Sequence, residues 1–118
     1  MRRAAAYAAL VWGAAGVVVA VLHTGAATAT AFRERGGLDH RWAVMLALGW
    51  VMLTVGAALA WCGWRLRQDG TRATHHRLAL ALAGFTLVWT SILVHVAGPV
   101  GVGGSAGTLA LLWLGRPR

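Results

Sequence analysis

Negative charge is nearly missing from this chain, which has three acidic residues, Glu34, Asp39 and Asp69, among 118. Lysine is missing altogether, so all eleven basic side chains are arginine. With abundant Ala and Gly, this bias suggests a GC-rich coding sequence. Charged residues of both signs reach 12%, about half the share of an ordinary soluble domain. There is one cysteine, Cys62, which excludes a disulfide within the chain. It lies in an apolar block, where a free thiol behaves as a small apolar residue. No Ser/His/Asp or Cys/His arrangement, phosphate loop or zinc motif of known spacing is present. An enzyme is therefore unsupported, and the sequence assigns no cofactor.

What the chain does have is apolar residues, 58% of the total, gathered in blocks. Residues 4–31, 42–64 and 78–115 carry no formal charge. Each block exceeds the 18 or so apolar residues needed to cross roughly 30 Å of hydrocarbon. A water-soluble domain this small cannot hide so much apolar surface. The third block is too long for one helix and is interrupted by Gly98-Pro99 and the glycines at 101, 103, 104 and 107. The expectation is an all-α fold: a single transmembrane domain, an integral membrane four-helix bundle with spans at about 5–30, 42–64, 78–96 and 99–114.

The net charge of +8 raises a nucleic-acid reading, but the arginines form no stripe interleaved with aromatics. They sit between the blocks, where charges set topology. Two arginines at the N-terminus, four in the 65–77 loop and two at the C-terminus share one side, against Arg33, Arg35 and Arg41 on the other. Eight against three puts both termini in the cytoplasm of a cell membrane. Tyr7, Trp61, Trp64 and Trp113 fall near the cytoplasmic boundary and Trp42 near the outer one. The start, Met1-Arg2-Arg3 followed by an apolar run and "ATATA", also fits a cleaved signal, which would leave three spans. The apolar run is about twice the usual length for one, which favours a retained span.

Small residues mark faces for close helix packing, since lipid supplies no hydrophobic force between helices. Gly13, Gly16, Ala20, His23, Ala27 and Thr30 share one face of the first span, opposite Val11, Val18, Val21 and Leu22. Gly49, Gly56, Ala60 and Gly63 suit a similar face on the second. On the third, Ala81, Gly84, Val88, Ser91 and His95 form a small stripe, with Leu78, Leu82, Phe85, Trp89, Ile92 and Val96 as the bulky one. The fourth carries Gly103-x-x-x-Gly107.

His23 and His95 stand out because both interrupt apolar spans. At 1.5 Å per residue they lie roughly 29 and 26 Å from the cytoplasmic edge, at similar depth. The first loop adds Glu34, Asp39 and His40 on that outer side. His23, His95 and His40 are therefore candidate metal or proton-handling residues, and a His pair across two helices also suits a haem. The competing reading makes His23 and His95 interfacial side chains bonded to a carbonyl or water, or polar contacts that specify packing. His75-His76 falls in the arginine-rich loop, where solvation or contact with anionic lipid headgroups is the default. The run from Arg65 to Arg77 reads as a topology determinant and lipid-facing patch, with partner docking as the alternative.

Through "VLHTG" late in the first span, the Arg-bounded second span, "GPVG" opening the fourth and the Arg-terminated end, the chain resembles a family of small, uncharacterised four-span bacterial membrane proteins. The resemblance covers nearly the whole chain and implies a helical bundle, without an activity. After the His-Thr pair the chain departs from it with "GAATAT", so the resemblance marks no site there. The leading functional expectation is a non-enzymatic accessory or interaction protein, its partners the lipid bilayer and itself or another membrane protein, not nucleic acid. The alternatives are small-solute, proton or metal handling through His23, His95 and His40, and a membrane enzyme or haem protein built on the same histidines.

Overall fold

The computed structural model describes residues 2–69, 73–92 and 94–116, with the side chains of Arg2, Asp69, Ala73 and 94–97 left aside. Its described residues form four helices: α1 (Arg2–Arg35), α2 (His40–Asp69), α3 (Ala73–Ile92) and α4 (Val94–Leu114). The fold is all-helical. At 1.5 Å per residue the 34-residue α1 is about 51 Å long, close to the 55 Å long axis of the molecule. Two helical runs, Arg3–Arg35 and His40–Gln68, are long and apolar enough to cross a membrane, and Gly98–Leu114 is a shorter apolar helix.

Local chemistry explains the turns. α1 ends at Gly36, whose φ of 73° lies in the left-handed region that favours glycine, and the Gly37 N–H donates to Ala31 O at 3.3 Å. Asp39 then caps α2: its Oδ1 accepts from the Trp42 N–H at 3.0 Å, and its carbonyl accepts from the Ala43 N–H at 3.1 Å. α4 is bent at Gly98 (φ 68°, ψ −177°), directly before Pro99. The Gly-Pro interruption expected from the sequence is thus a bend within α4, and His95 lies on the turn preceding it.

α1 and α2 pack backbone to backbone. Gly49, Gly56 and Gly63 recur every seven residues, the period of helices in a left-handed supercoil. A Cβ added at Gly56 would lie 2.9 Å from Gly13 O, one at Gly13 2.6 Å from Gly56 O, and one at Gly63 2.7 Å from Ala6 O. The opposite side of α1 is bare, with Val11 and Leu22 about two-thirds exposed (64% and 66%). Both expected faces of this pair are the ones observed.

The faces of α3 and α4 differ from expectation. Ala81, Val88 and Ser91, the small stripe, are exposed, and a Cβ at Gly84 would meet nothing within 4 Å. α3 instead buries His76, Ala79, Ala83 and Thr90. Alanine at every second position from Ala79 to Ala83 satisfies more than one helical stripe, so size alone did not select the face. On α4, Gly103 and Gly107 are exposed, while Ser105, Thr108 and Leu112 are buried and Gly104 lies under the Trp12 ring. The core joins Ala5, Ala6 and Ala9 of α1, Leu59, Cys62 and Leu66 of α2, Ala79 and Ala83 of α3, and Leu112 of α4. It sits toward the end where α1 and α3 start and α2 and α4 finish.

Candidate functional site

Three places in the described residues collect chemically distinctive side chains. The first is the turn end of the α1–α2 hairpin. His23, half-buried on α1, places Nε2 3.1 Å from Met45 O on α2. A carbonyl only accepts, so in this contact Nε2 carries the proton. One turn along, the Trp42 indole N–H donates to Thr28 Oγ1 at 2.9 Å, and that hydroxyl donates to Thr24 O at 2.9 Å. The chain of bonds ties the start of α2 to α1. At the tip, Arg35 pairs with Asp39 at 2.7 Å. The Trp42 N–H at the helix start is the main cause that holds the Asp39 carboxyl below its ordinary range; desolvation opposes it, and Arg35, His40 and Arg41 each lower it further by a smaller amount.

The candidate metal residues are distributed as follows. His23 is turned to the Met45 carbonyl; His40 is the exposed first residue of α2; the His95 side chain lies outside the described ones. Among the described residues no three His, Cys, Asp or Glu side chains come together as a metal-binding group. A metal at His23 would have to use Nδ1 or displace the Met45 bond.

The second place is the arginine-rich end. Every aromatic assigned to that boundary from the sequence meets an arginine there. The Arg67 guanidinium is 5.1 Å from the Trp64 ring centre and 5.6 Å from that of Tyr7; Arg116 is 4.3 Å from Trp113 and Arg65 5.7 Å from Trp61. Such contacts contribute about 0.5–1 kcal/mol each at exposed sites. His75 meets the same Trp61 ring edge-on, with centres 5.1 Å apart. Arg65 Nε and His75 Nδ1 are both shielded and have no hydrogen-bond partner among the described residues.

His76 is the residue that sequence reasoning missed. It was expected to be solvated in the loop. It stands instead within α3, 5% exposed, and its Nε2 donates to Leu112 O at 2.6 Å. Leu112 is in the last turn of α4, where carbonyls lack partners within the helix. The Arg116 N–H that would ordinarily reach back to it goes to Trp113 O at 3.3 Å. One signal was available: His76, Ala79, Ala83 and Thr90 fall on one helical face.

The third place is an apolar cleft of about 290 Å³ between the two hairpins, walled by Trp12, Met52, Leu59, Phe85, Trp89 and Val100 among others. Trp12 donates its indole N–H to Ser105 Oγ at 3.2 Å. Trp89 Nε1 is shielded and has no partner among the described residues. Among the described residues that line it there is no titratable side chain, so what they offer is shape and a few donors. No protein-family model, curated protein or solved structure matches this chain.

Proposed function

We propose that this chain is a multi-pass membrane protein with both termini in the cytoplasm, acting as a non-enzymatic accessory or interaction protein. The observation that carries the reading is the distribution of exposed side chains. Val11, Val18, Leu22, Trp50, Val88 and Ile92 are all more than half exposed along the helix shafts. The formal charges stay at the helix ends and in the turns. Lipid tolerates the first and positions the second, and a water-soluble monomer rarely leaves so large an apolar surface uncovered.

The interaction role draws on α4. Gly103 and Gly107 face outward, leaving a small-residue face of the kind by which membrane helices approach one another. The test is cysteine crosslinking in membranes, in a Cys62→Ala background. Gly103→Cys or Gly107→Cys should give adducts to a second copy or to another polypeptide, and the wild-type chain, whose one cysteine is the buried Cys62, should give none. Uncrosslinked monomer at every outward position, or release of the chain from membranes by alkaline carbonate, would overturn the reading.

A further inference from the structure

The geometry points to a binding site for a phosphate group, that of an anionic membrane lipid, between Arg65 of α2 and His75 of α3 beside Trp61. The inference rests on the membrane reading for its lipid and on the local structure for its site.

Arg65 and His75 share the Trp61 ring, one over its face and the other edge-on. That ring holds the two side chains together where α2 ends and α3 begins. Arg65 Nε and His75 Nδ1 are withdrawn from solvent, yet neither has a hydrogen-bond partner among the described residues. A shielded donor without an acceptor is unfavourable, and a charged one more so. Both residues are only half-buried, so a modest turn of either side chain would bring its shielded nitrogen to the surface. With Nδ1 protonated, His75 offers one donor and the Arg65 guanidinium a fork, the combination that suits phosphate oxygens.

The surroundings select an anion. The helix ends that meet here carry Arg3, Arg65, Arg67, Arg77 and Arg116, against one acidic residue, Asp69. Arg67 and Arg116 lie on Tyr7, Trp64 and Trp113, so much of the collar is already stacked on aromatics. Arg65 and His75 differ from them in each having a shielded nitrogen with no hydrogen-bond partner among the described residues. Basic residues immediately cytoplasmic of membrane helices attract anionic headgroups, and here the unpaired donors give that attraction a place.

The test is native mass spectrometry of the full-length protein released from bilayers containing phosphatidylglycerol, phosphatidylcholine and diacylglycerol. The wild type should retain one phosphatidylglycerol per chain, about tenfold over diacylglycerol, as expected for one charge-assisted contact. Arg65→Gln and His75→Ala should each abolish the preference, while Arg116→Gln, at the same end, should keep it. Arg65→Lys keeps the charge without the fork and should retain part of the preference, which separates loss of the site from loss of the fold. Retention in Arg65→Gln, or equal loss in Arg116→Gln, would overturn the site in favour of diffuse attraction. A second arm offers inorganic phosphate to lipid-free protein in detergent. Binding there with the same dependence on Arg65 and His75, without phosphatidylglycerol retention, would uphold the phosphate site and overturn its lipid. Carbonate extraction run in parallel reports on membrane insertion separately.

Discussion

His76 Nε2 and Leu112 O, 36 residues apart, are joined by a 2.6 Å hydrogen bond that fastens the start of α3 to the end of α4. The donor is 5% exposed, and the acceptor is a terminal-turn carbonyl with no partner inside its own helix. One imidazole therefore does for α4 what a capping residue does elsewhere. Removing it strands a shielded carbonyl, so His76→Phe should lower stability by about 1–2 kcal/mol, and His76→Gln by less if its amide reaches the same oxygen. Unfolding of purified protein in mixed micelles measures both. A His76→Phe variant as stable as wild type would show that water replaces the bond freely.

The α1–α2 seam makes a contrast among glycines that composition does not reveal. A Cβ at Gly13 or Gly63 would run into the facing helix backbone, including Gly56 O and Ala6 O, which cannot rotate away. Gly13→Ala and Gly63→Ala should each cost about 1–3 kcal/mol as the helices are forced apart. At Gly25 and Gly107 a Cβ meets nothing within 4 Å. Alanine there should be neutral, or stabilise by up to about 1 kcal/mol through helix propensity. The same unfolding assay across the four variants checks the ordering.

These residues also show what could be read before the structure. The inner faces of α1 and α2 were legible because large and small residues alternate at steps of three and four: Gly13, Gly16 and Ala20 against Val11, Val18 and Leu22. α3 was ambiguous because alanine at 79, 81 and 83 fits opposing stripes. Its first turn was also misplaced. An apolar block begins at Leu78, whereas the helix begins at Ala73, so His76 was assigned to a loop. Hydropathy marks where apolar residues start, and helices continue past that point when their ends are solvated or capped. The Gly103-x-x-x-Gly107 spacing identified a face that admits close approach without saying which neighbour uses it; within the chain, Trp12 meets Gly104 instead. At the other end, a bond to a carbonyl was among the readings open for His23, and its Nε2 meets Met45 O.

Asp39 does two jobs that substitution can separate. It caps α2 through the Trp42 N–H and pairs with Arg35 at 2.7 Å. Asparagine caps nearly as well as aspartate but carries no charge. Asp39→Ala should therefore lower the thermal midpoint clearly, and Asp39→Asn much less. The acid response follows from the lowered pKa of its carboxyl, caused chiefly by the Trp42 N–H. The charged form's contribution is complete above the unfolded value of about 3.9 and is lost as pH falls through the lower folded value. The midpoint gap between wild type and Asp39→Asn should be flat near neutrality and close in that acid window. A gap that widens on acidification would contradict the assignment.

Trp12 and Ser105 couple α1 to α4, and the coupling is unequal in a way a double-mutant cycle can read. Ser105 is fully buried; its hydroxyl donates to Gly101 O at 2.8 Å and accepts from the Trp12 indole at 3.2 Å. Ser105→Ala deletes the acceptor and leaves an indole N–H pointing into an apolar interior, at a cost of about 1–2 kcal/mol. In a Trp12→Phe background that donor is gone, the Gly101 carbonyl keeps the bond of its own helix, and the Thr90 hydroxyl, 3.5 Å from Ser105 Oγ, keeps its 2.8 Å bond to Thr86 O. The second substitution should then cost close to nothing, leaving a coupling energy of about 1 kcal/mol between the sites. Equal costs of Ser105→Ala in both backgrounds would mean that the 3.2 Å contact is proximity without energetic weight, and that the Trp12 ring is held by its packing over Gly104 alone.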